Sequence, residues 1–338
     1  MAEPFYASKT EYVDRALLGF ARDHADVVEL STDPVYVRSV DRDPRRQVGL
    51  LSGGGSGHEP MHVGLVGRGM LDAAAPGRVF ASPHNRQVYE GSRAAAGPGG
   101  VLHIVKNYTG DRINFGIAAE RLRHDGIPVA RVLVDDDVAT ESQQIATGRR
   151  GTGATVLTEK LLGAAADRGA SLDELVALGE TLVGRSRSLA VASLAQTSPV
   201  TGEPGFDLGP GQLEYGVGIH GERAQHTIPR PPLEDLVERM VDDVLGHLPG
   251  GRSVFLFVNG LGGTTYIELY NVFAEAVDAL AARDIAVERS LVGPYTPALD
   301  MKGFSITMTM LEPAVEALPS GGWTTLFDAP AWTAGLRR

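Results

Sequence analysis

Cysteine is absent from all 338 residues. That removes disulfides, thiolate metal ligands, iron–sulfur clusters and cysteine nucleophiles in one step. Tryptophan occurs twice and aromatics make up only 6% of the chain. No apolar run approaches the ~20 residues needed to span a bilayer, and no secretory hydrophobic segment follows Met1. The expectation is a cytoplasmic chain with no membrane partner. Positive charge is also in deficit: 31 Lys and Arg stand against 42 Asp and Glu, a net charge of −11. Affinity for a phosphate backbone requires clustered cations, so no nucleic-acid partner is expected.

What remains is an ordinary globular composition, 43% hydrophobic and 22% charged, which excludes disorder and fibrous architectures. The length fits two domains at ~100–200 residues each. The 42 glycines and 20 prolines are scattered, as expected for many short turns and close backbone approaches.

Short apolar runs alternate with amphipathic segments. Strands are predicted at Val48–Ser52, Val101–Val105, Val129–Val134, Leu189–Leu194, Val254–Val258, Val287–Val292 and Ser305–Thr309. Helices are predicted at Glu11–Asp23, Asn114–His124, Thr155–Arg168, Leu172–Gly184, Pro232–Leu248 and Ile267–Ala282. In Pro232–Leu248, the residues Leu233, Leu236, Met240 and Leu245 form one stripe, and acids follow the prolines at its start. The alternation predicts an α/β protein with two α/β domains, each a mixed or mostly parallel sheet flanked by helices. The Gly- and Pro-rich stretch Gln196–Pro232 marks the break. The boundary is placed near Gly184–Arg187, giving domains 1–184 and 185–338.

Three loops could carry chemistry. Leu50-Leu51-Ser52-Gly53-Gly54-Gly55-Ser56-Gly57-His58-Glu59-Pro60 runs from a strand into a glycine-rich turn. It has neither the Gly-Lys-Ser/Thr of a P-loop nor the last glycine of the dinucleotide fingerprint. A flexible turn would account for it. A ligand loop at a strand end accounts better for four glycines, a serine and a titratable histidine together. Val105-Lys106-Asn107-Tyr108-Thr109-Gly110-Asp111 also leaves a strand. Asp111 there is either a helix cap or a functional carboxylate. Glu214-Tyr215-Gly216-Val217-Gly218-Ile219-His220-Gly221-Glu222 matches G-x-G-x-x-G formally, but the segment Arg223–Pro229 after it reads as extended rather than helical, so a dinucleotide site is rejected. His220 is then an exposed histidine on a strand flanked by glycines, either solvated or open to a ligand. Two weaker signals are Asp135-Asp136-Asp137, a cation site or a solvated turn with a helix cap, and Gly148-Arg149-Arg150-Gly151-Thr152-Gly153, an anion-binding helix N-terminus, a loop leading into the helix, or an intersubunit contact.

Taken in order, LSGGGSGHEPMHVGLVGRGMLDAA, VFASP, VKNYTGDRINFGIAAE, GRRGTGATVL, LEYGVGIHGE, VNGLGGTTYIELY and LDMKGFSIT resemble the substrate-binding K subunits of dihydroxyacetone (glycerone) kinases, from about Met1 to Trp332. The resemblance implies two α/β domains, a homodimer, and covalent capture of dihydroxyacetone as a hemiaminal on His220. It implies acid/base roles for His58 and Asp111, and substrate hydrogen bonds from Gly55, Ser82 and Lys106. A neutral imidazole can add to a ketone, and such trapping separates dihydroxyacetone from glycerol, which has no carbonyl. No Walker motif, kinase glycine-rich loop or convincing Mg2+ cluster is found, and 338 residues are not expected to leave room for the helical nucleotide domain that ATP-using members of the family carry. The resemblance therefore points to the phosphotransferase-system-dependent form: ADP/ATP and Mg2+ reside on a separate L subunit, which a phosphodonor component recharges ultimately from phosphoenolpyruvate, and this chain needs no cofactor or metal of its own. The run His84-Asn85-Arg86-Gln87, Arg223, the run Ala192-Ser193-Leu194-Ala195-Gln196, and Met61 and His62 after the glycine loop depart from the family pattern and could alter the pocket, so a four-carbon ketose such as erythrulose is an alternative substrate. A non-catalytic ketose sensor acting as a transcriptional coactivator is the alternative from another functional class. Retention of His58, Asp111 and His220 together favours the enzyme.

Overall fold

A computed structural model describes residues 5–6, 8–140, 148–223, 226–311 and 321–337. The chain divides into two compact units: Thr10–Val134, Thr155–Leu182 and Pro313–Arg338 form one; Met1–Lys9, Asp135–Ala154 and Val183–Glu312 form the other.

The first unit begins with α1 (Tyr12–Asp23) and is built on strands β1 (Val28–Thr32), β2 (Val35–Ser39), β3 (Gly49–Ser56), β5 (Ala73–Val79), β6 (Val101–Lys106) and β7 (Val129–Val134), with the two-residue β4 (Gly67–Arg68) apart from them. The sheet order is β1-β2-β5-β3-β6-β7. Strands β5, β3, β6 and β7 are mutually parallel; at one edge β2 pairs antiparallel to β5, and β1 antiparallel to β2. Every residue of β3 and β6 is buried, which is why β3 reads as a run of apolar and small residues and β6 as an apolar run broken only by His103 and ending in Lys106, rather than as alternation. Helices α2 (Asn85–Ala95) and α3 (Thr109–His124) pack Val88, Phe115 and Leu122 into one core cluster with Leu51, Val101 and Val105 of the sheet. Helices α4 (Ala154–Asp167) and α5 (Leu172–Gly184) complete the unit's helical cover. Arg46 is buried and ties sheet to helix: it bonds Asp72 at 2.7 Å, Asp167 at 2.6 Å and the carbonyls of Met70 and Gly163.

The glycine run was expected as a turn, but β3 carries it to Ser56 in parallel pairing with β5. A Cβ on Gly53 would sit 2.4 Å from the carbonyl oxygen of Ala75, so this strand position admits only glycine. Strand β5 was not expected, because Ala-Ala-Ala-Pro-Gly has little intrinsic strand preference; pairing on both sides holds it. Helix α2 and the β1–β2 hairpin were likewise not expected.

The second unit has β8 (Ser186–Leu194), β9 (Gln212–Tyr215), β10 (His226–Pro229), β11 (Ser253–Gly260), β12 (Ala286–Gly293) and β13 (Lys302–Met310), in the order β10-β9-β8-β13-β11-β12. Only β11–β12 is parallel; the other pairs are antiparallel. Both sheets are mixed, and parallel pairing predominates only in the first. Helices α6 (Leu233–Leu245) and α7 (Tyr266–Ala281) pack on this sheet. The buried stripe of α6 is Leu236, Val237, Met240, Val241 and Val244. It lies one position round from the expected stripe, and Leu233 is exposed.

The interleaving differs from the expected division at 184/185. Only the crossing at Leu182–Val183 matches it. The C-terminal segment belongs to the first unit: α8 (Trp323–Phe327) is anchored there by Lys160 Nζ, which donates to the carbonyls of Leu326 and Ala329, and β14 (Trp332–Thr333) pairs with β4. Asp135–Ala154 belongs to the second unit because Asp136 locks it to β8. Its carboxylate accepts from the Thr152 and Ala154 amides at 2.6 and 2.9 Å, from the Thr152 hydroxyl and from the Ser188 hydroxyl, and its carbonyl accepts from Ser188 N. Replacing Asp136 with Ala would strand two buried amide donors. The expected loss is about 3 kcal/mol of stability, read as a lower urea midpoint at unchanged slope.

Candidate functional site

The parallel strands of the first unit place their C-terminal ends side by side, in the order β5, β3, β6. Open α/β sheets bind ligands at such ends. Four expected residues or segments leave from there. His58 follows β3, Phe80 to Ser82 follow β5, Lys106 ends β6, and Asp111 lies in the first turn of α3.

Their neighbourhoods overlap. The buried His58 ring stacks on Phe80, with centroids 5.1 Å apart and planes 23° from parallel. A Cβ on Gly55 would come within 2.7 Å of Phe80 Cα, and one on Gly110 within 2.6 Å of Ser82 Oγ. The glycines thus let three loops touch, and His58, Gly55, Ser82 and the Gly110–Asp111 turn share one floor. Asp111 is buried at 2% exposure. It was expected ahead of the helix, at a start placed at Asn114. The helix begins at Thr109, so Asp111 stands at the positive end of its dipole, which favours a carboxylate.

Lys106 is fully buried. Its Nζ lies 2.8 Å from Nε2 of His62, whose Nδ1 is 2.5 Å from Glu159 Oε1. Burial pushes the Glu159 carboxyl up to about 8, against the pull of a serine hydrogen bond and the Lys106 charge. Burial likewise lowers Lys106, while Asp111, Glu159 and Glu59 pull it back up. His62 is held well below its ordinary value by burial, then by the charges of Lys106 and His58. Sequence reasoning marked His62 only as a departure from the family pattern that could alter the pocket, and gave Glu159 no role; a lone Glu inside the apolar α4 segment was the signal available for it.

His220 lies in the second unit. It is not on a strand: β9 ends at Tyr215, and His220 sits in the turn that follows, half-buried. Its Nδ1 is 2.9 Å from Glu222 Oε1, and its amide donates to Glu222 Oε2 at 2.9 Å. Burial pushes the Glu222 carboxyl up, but the hydrogen bond and charge of His220, with the charge of Arg150, outweigh it and bring it to about 2. Glu222 is therefore ionised at neutral pH and acceptor-only. Facing this acceptor-only group, Nδ1 of His220 is the donor of the pair. Gly221, at φ +80°, closes the turn, and a Cβ there would collide with Gln196.

No helix follows the G-x-G-x-x-G match; β10 does, beginning at His226. Ala224 and Gln225 of the extended reading lie outside the described residues. Of the weaker signals, Asp135 pairs with Arg149 and Asp137 with Arg150, while Asp136 accepts the amides at the start of α4. The carboxylates are thus used internally, and the helix N-terminus already holds an anion from its own chain. Among the described residues no cluster of three or more His, Asp or Glu side chains could hold a metal, and no helix is long and apolar enough to cross a membrane.

Comparison with known proteins places this geometry in context. The dihydroxyacetone-binding subunit of PTS-dependent dihydroxyacetone kinase 1 from Listeria innocua is 46% identical over 307 residues, covering 89% of this chain and 92% of that protein. The crystal structure of the dihydroxyacetone kinase of C. freundii superposes with a TM-score of 0.87 at 34% identity. It is matched by the whole of this chain, which spans 60% of that kinase's length. The structure of a dihydroxyacetone kinase operon co-activator superposes with a TM-score of 0.85 at 28% identity, over 95% of this chain and 96% of that one. The Dak1 domain matches residues 18–331, and on that match the chain belongs to the Dak1 family.

Proposed function

We propose that this chain is the dihydroxyacetone-binding subunit of a phosphoenolpyruvate-dependent dihydroxyacetone kinase, a phosphotransferase that works only with partner subunits. The observation that carries the reading is the pairing of ionised Glu222 with Nδ1 of His220, which prepares Nε2 for attack on a ketone. The Nε2 lone pair forms the C–N bond and the carbonyl π pair moves to oxygen. That oxygen gains a proton while Nδ1 gives one up, so the hemiaminal forms without net proton uptake. Glu222 offsets the positive charge the ring carries on the way.

Asp111 takes the proton from a terminal hydroxyl as that oxygen attacks phosphorus, and His58 assists. Gly55, Ser82 and Lys106 bind the ketose hydroxyls and oxygen. Phosphoryl transfer then rests on holding the hydroxyl in line with a donor supplied from outside. The L subunit holds ADP/ATP and Mg2+, and a phosphotransferase-system component recharges it. The working chain is a homodimer in the cytoplasm. Dihydroxyacetone is preferred to erythrulose as substrate because the relative at 46% identity, matched over 92% of its length, is named for it.

The co-activator structure supports a second reading, a ketose sensor. A sensor needs capture but no general base, and the buried Asp111 at a helix N-terminus favours the enzyme. The deciding experiment supplies ketose and ATP to the purified chain, then adds the L subunit and phosphodonor. No sugar phosphate is expected from the chain alone, and ketose-dependent phosphate transfer is expected once the partners are present. Efficient ATP-dependent turnover by the chain alone would sink the partner-dependent reading, and continued silence with partners would favour the sensor.

A further inference from the structure

Lys106, His62 and Glu159 come from β6, the loop after β3, and α4, and their side chains are almost wholly closed to solvent. The proton positions follow from the neighbours. Ser52 Oγ donates to the Ile104 carbonyl at 2.8 Å and lies 3.0 Å from His62 Nδ1. The Lys106 ammonium has donors only, so Nε2 of His62 accepts from it and the ring proton stands on Nδ1, facing Ser52 and Glu159. On the other side, the amine lies against the glycine loop: a Cβ on Gly54 would be 2.1 Å from Nζ.

We propose that His62 and Glu159 are positioning residues for Lys106, forming a buried chain that holds its ammonium against Gly54, aims its remaining donors at the ketose, and keeps it charged. This rests on the proposed ketose site and adds to it two residues that do not touch substrate. Charged and titratable groups face this chain from every packed element: Asp111 from α3, Glu59 and His58 from the glycine loop, and Glu159 from α4. Burial alone would strip the Lys106 proton as pH rises. Glu159 ionises as pH passes about 8 and then opposes that loss. Neutralising Glu159 withdraws the support, so Lys106 deprotonates at lower pH.

The test uses the full chain with dihydroxyacetone as probe and measures ketose affinity from neutral to strongly alkaline pH. The 15N resonances of the His62 ring are recorded separately, without ketose. Lys106→Met and His62→Phe are each expected to weaken binding about tenfold or more, the scale of one lost charge-assisted hydrogen bond. Glu159→Gln, nearly the same shape, should bind close to normally at neutral pH and lose the ketose at lower pH than wild type does. The His62 ring should show the Nδ1–H form.

A ring protonated on Nε2 would overturn the proposal. So would a Glu159→Gln variant that melts at a different temperature yet keeps the wild-type alkaline limb while Lys106→Met binds weakly; the two residues would then be structural only. Wild-type binding by Lys106→Met would instead refute the ketose contact itself, and the positioning role with it.

Discussion

His220→Ala is expected to abolish the covalent adduct. Intact-protein mass measurement after incubation with dihydroxyacetone should show the added triose on the wild-type chain and none on the variant. The proposed nucleophile is this ring, held by its own carboxylate partner, Glu222, at 2.9 Å from Nδ1. His220 lies in an irregular turn rather than in a core, so loss of the ring should cost little stability. The structural consequence is a released Glu222, which keeps Arg150 nearby at 4.0 Å. An adduct that persists in the variant would remove the assignment of the ketose to this histidine.

Asp111→Asn should separate capture from transfer. The amide keeps the shape and the hydrogen-bonding reach of the carboxylate but cannot take a proton. The adduct should therefore form as in wild type. Phosphorylation, measured with L subunit and phosphodonor present, should fall about 10²- to 10⁴-fold, the usual contribution of a positioned general base. Asp111 is buried in the first turn of α3, where the helix dipole favours the anion. Asparagine gives up that interaction without creating a cavity, so the melting temperature should move by only a few degrees. Wild-type turnover in Asp111→Asn would show that another group takes the proton.

How far the sequence could be read depended on whether the signal was local. Strands β3 and β6 show as short, mostly apolar runs because both their faces are buried, and β7 shows as one although it is only partly buried. Strand β5 carries no such run: it is a strand because β2 and β3 accept its backbone on either side. The same reason placed Gly53 to Gly55 in a turn when they lie in a strand. The start of α3 was set five residues late, since Thr109 to Ile113 lacks the apolar spacing on which helix assignment rests. The interleaving of the two units was out of reach for a related reason: β14 and α8 return to the first unit through pairing with β4 and the two hydrogen bonds from Lys160, contacts across about half the chain or more.

By itself the sequence determined the chemistry that is excluded, the alternation that makes two α/β units, and the three loops bearing His58, Asp111 and His220. These are properties of composition and of neighbours along the chain. Only the tertiary structure decided which partner each buried group has. Glu159 reaches His62 across 97 positions and His62 reaches Lys106 across 44, and no local pattern records such distances. A charged group removed from water must find its counterpart wherever packing brings one, so its protonation and direction are set by contacts that exist only after folding.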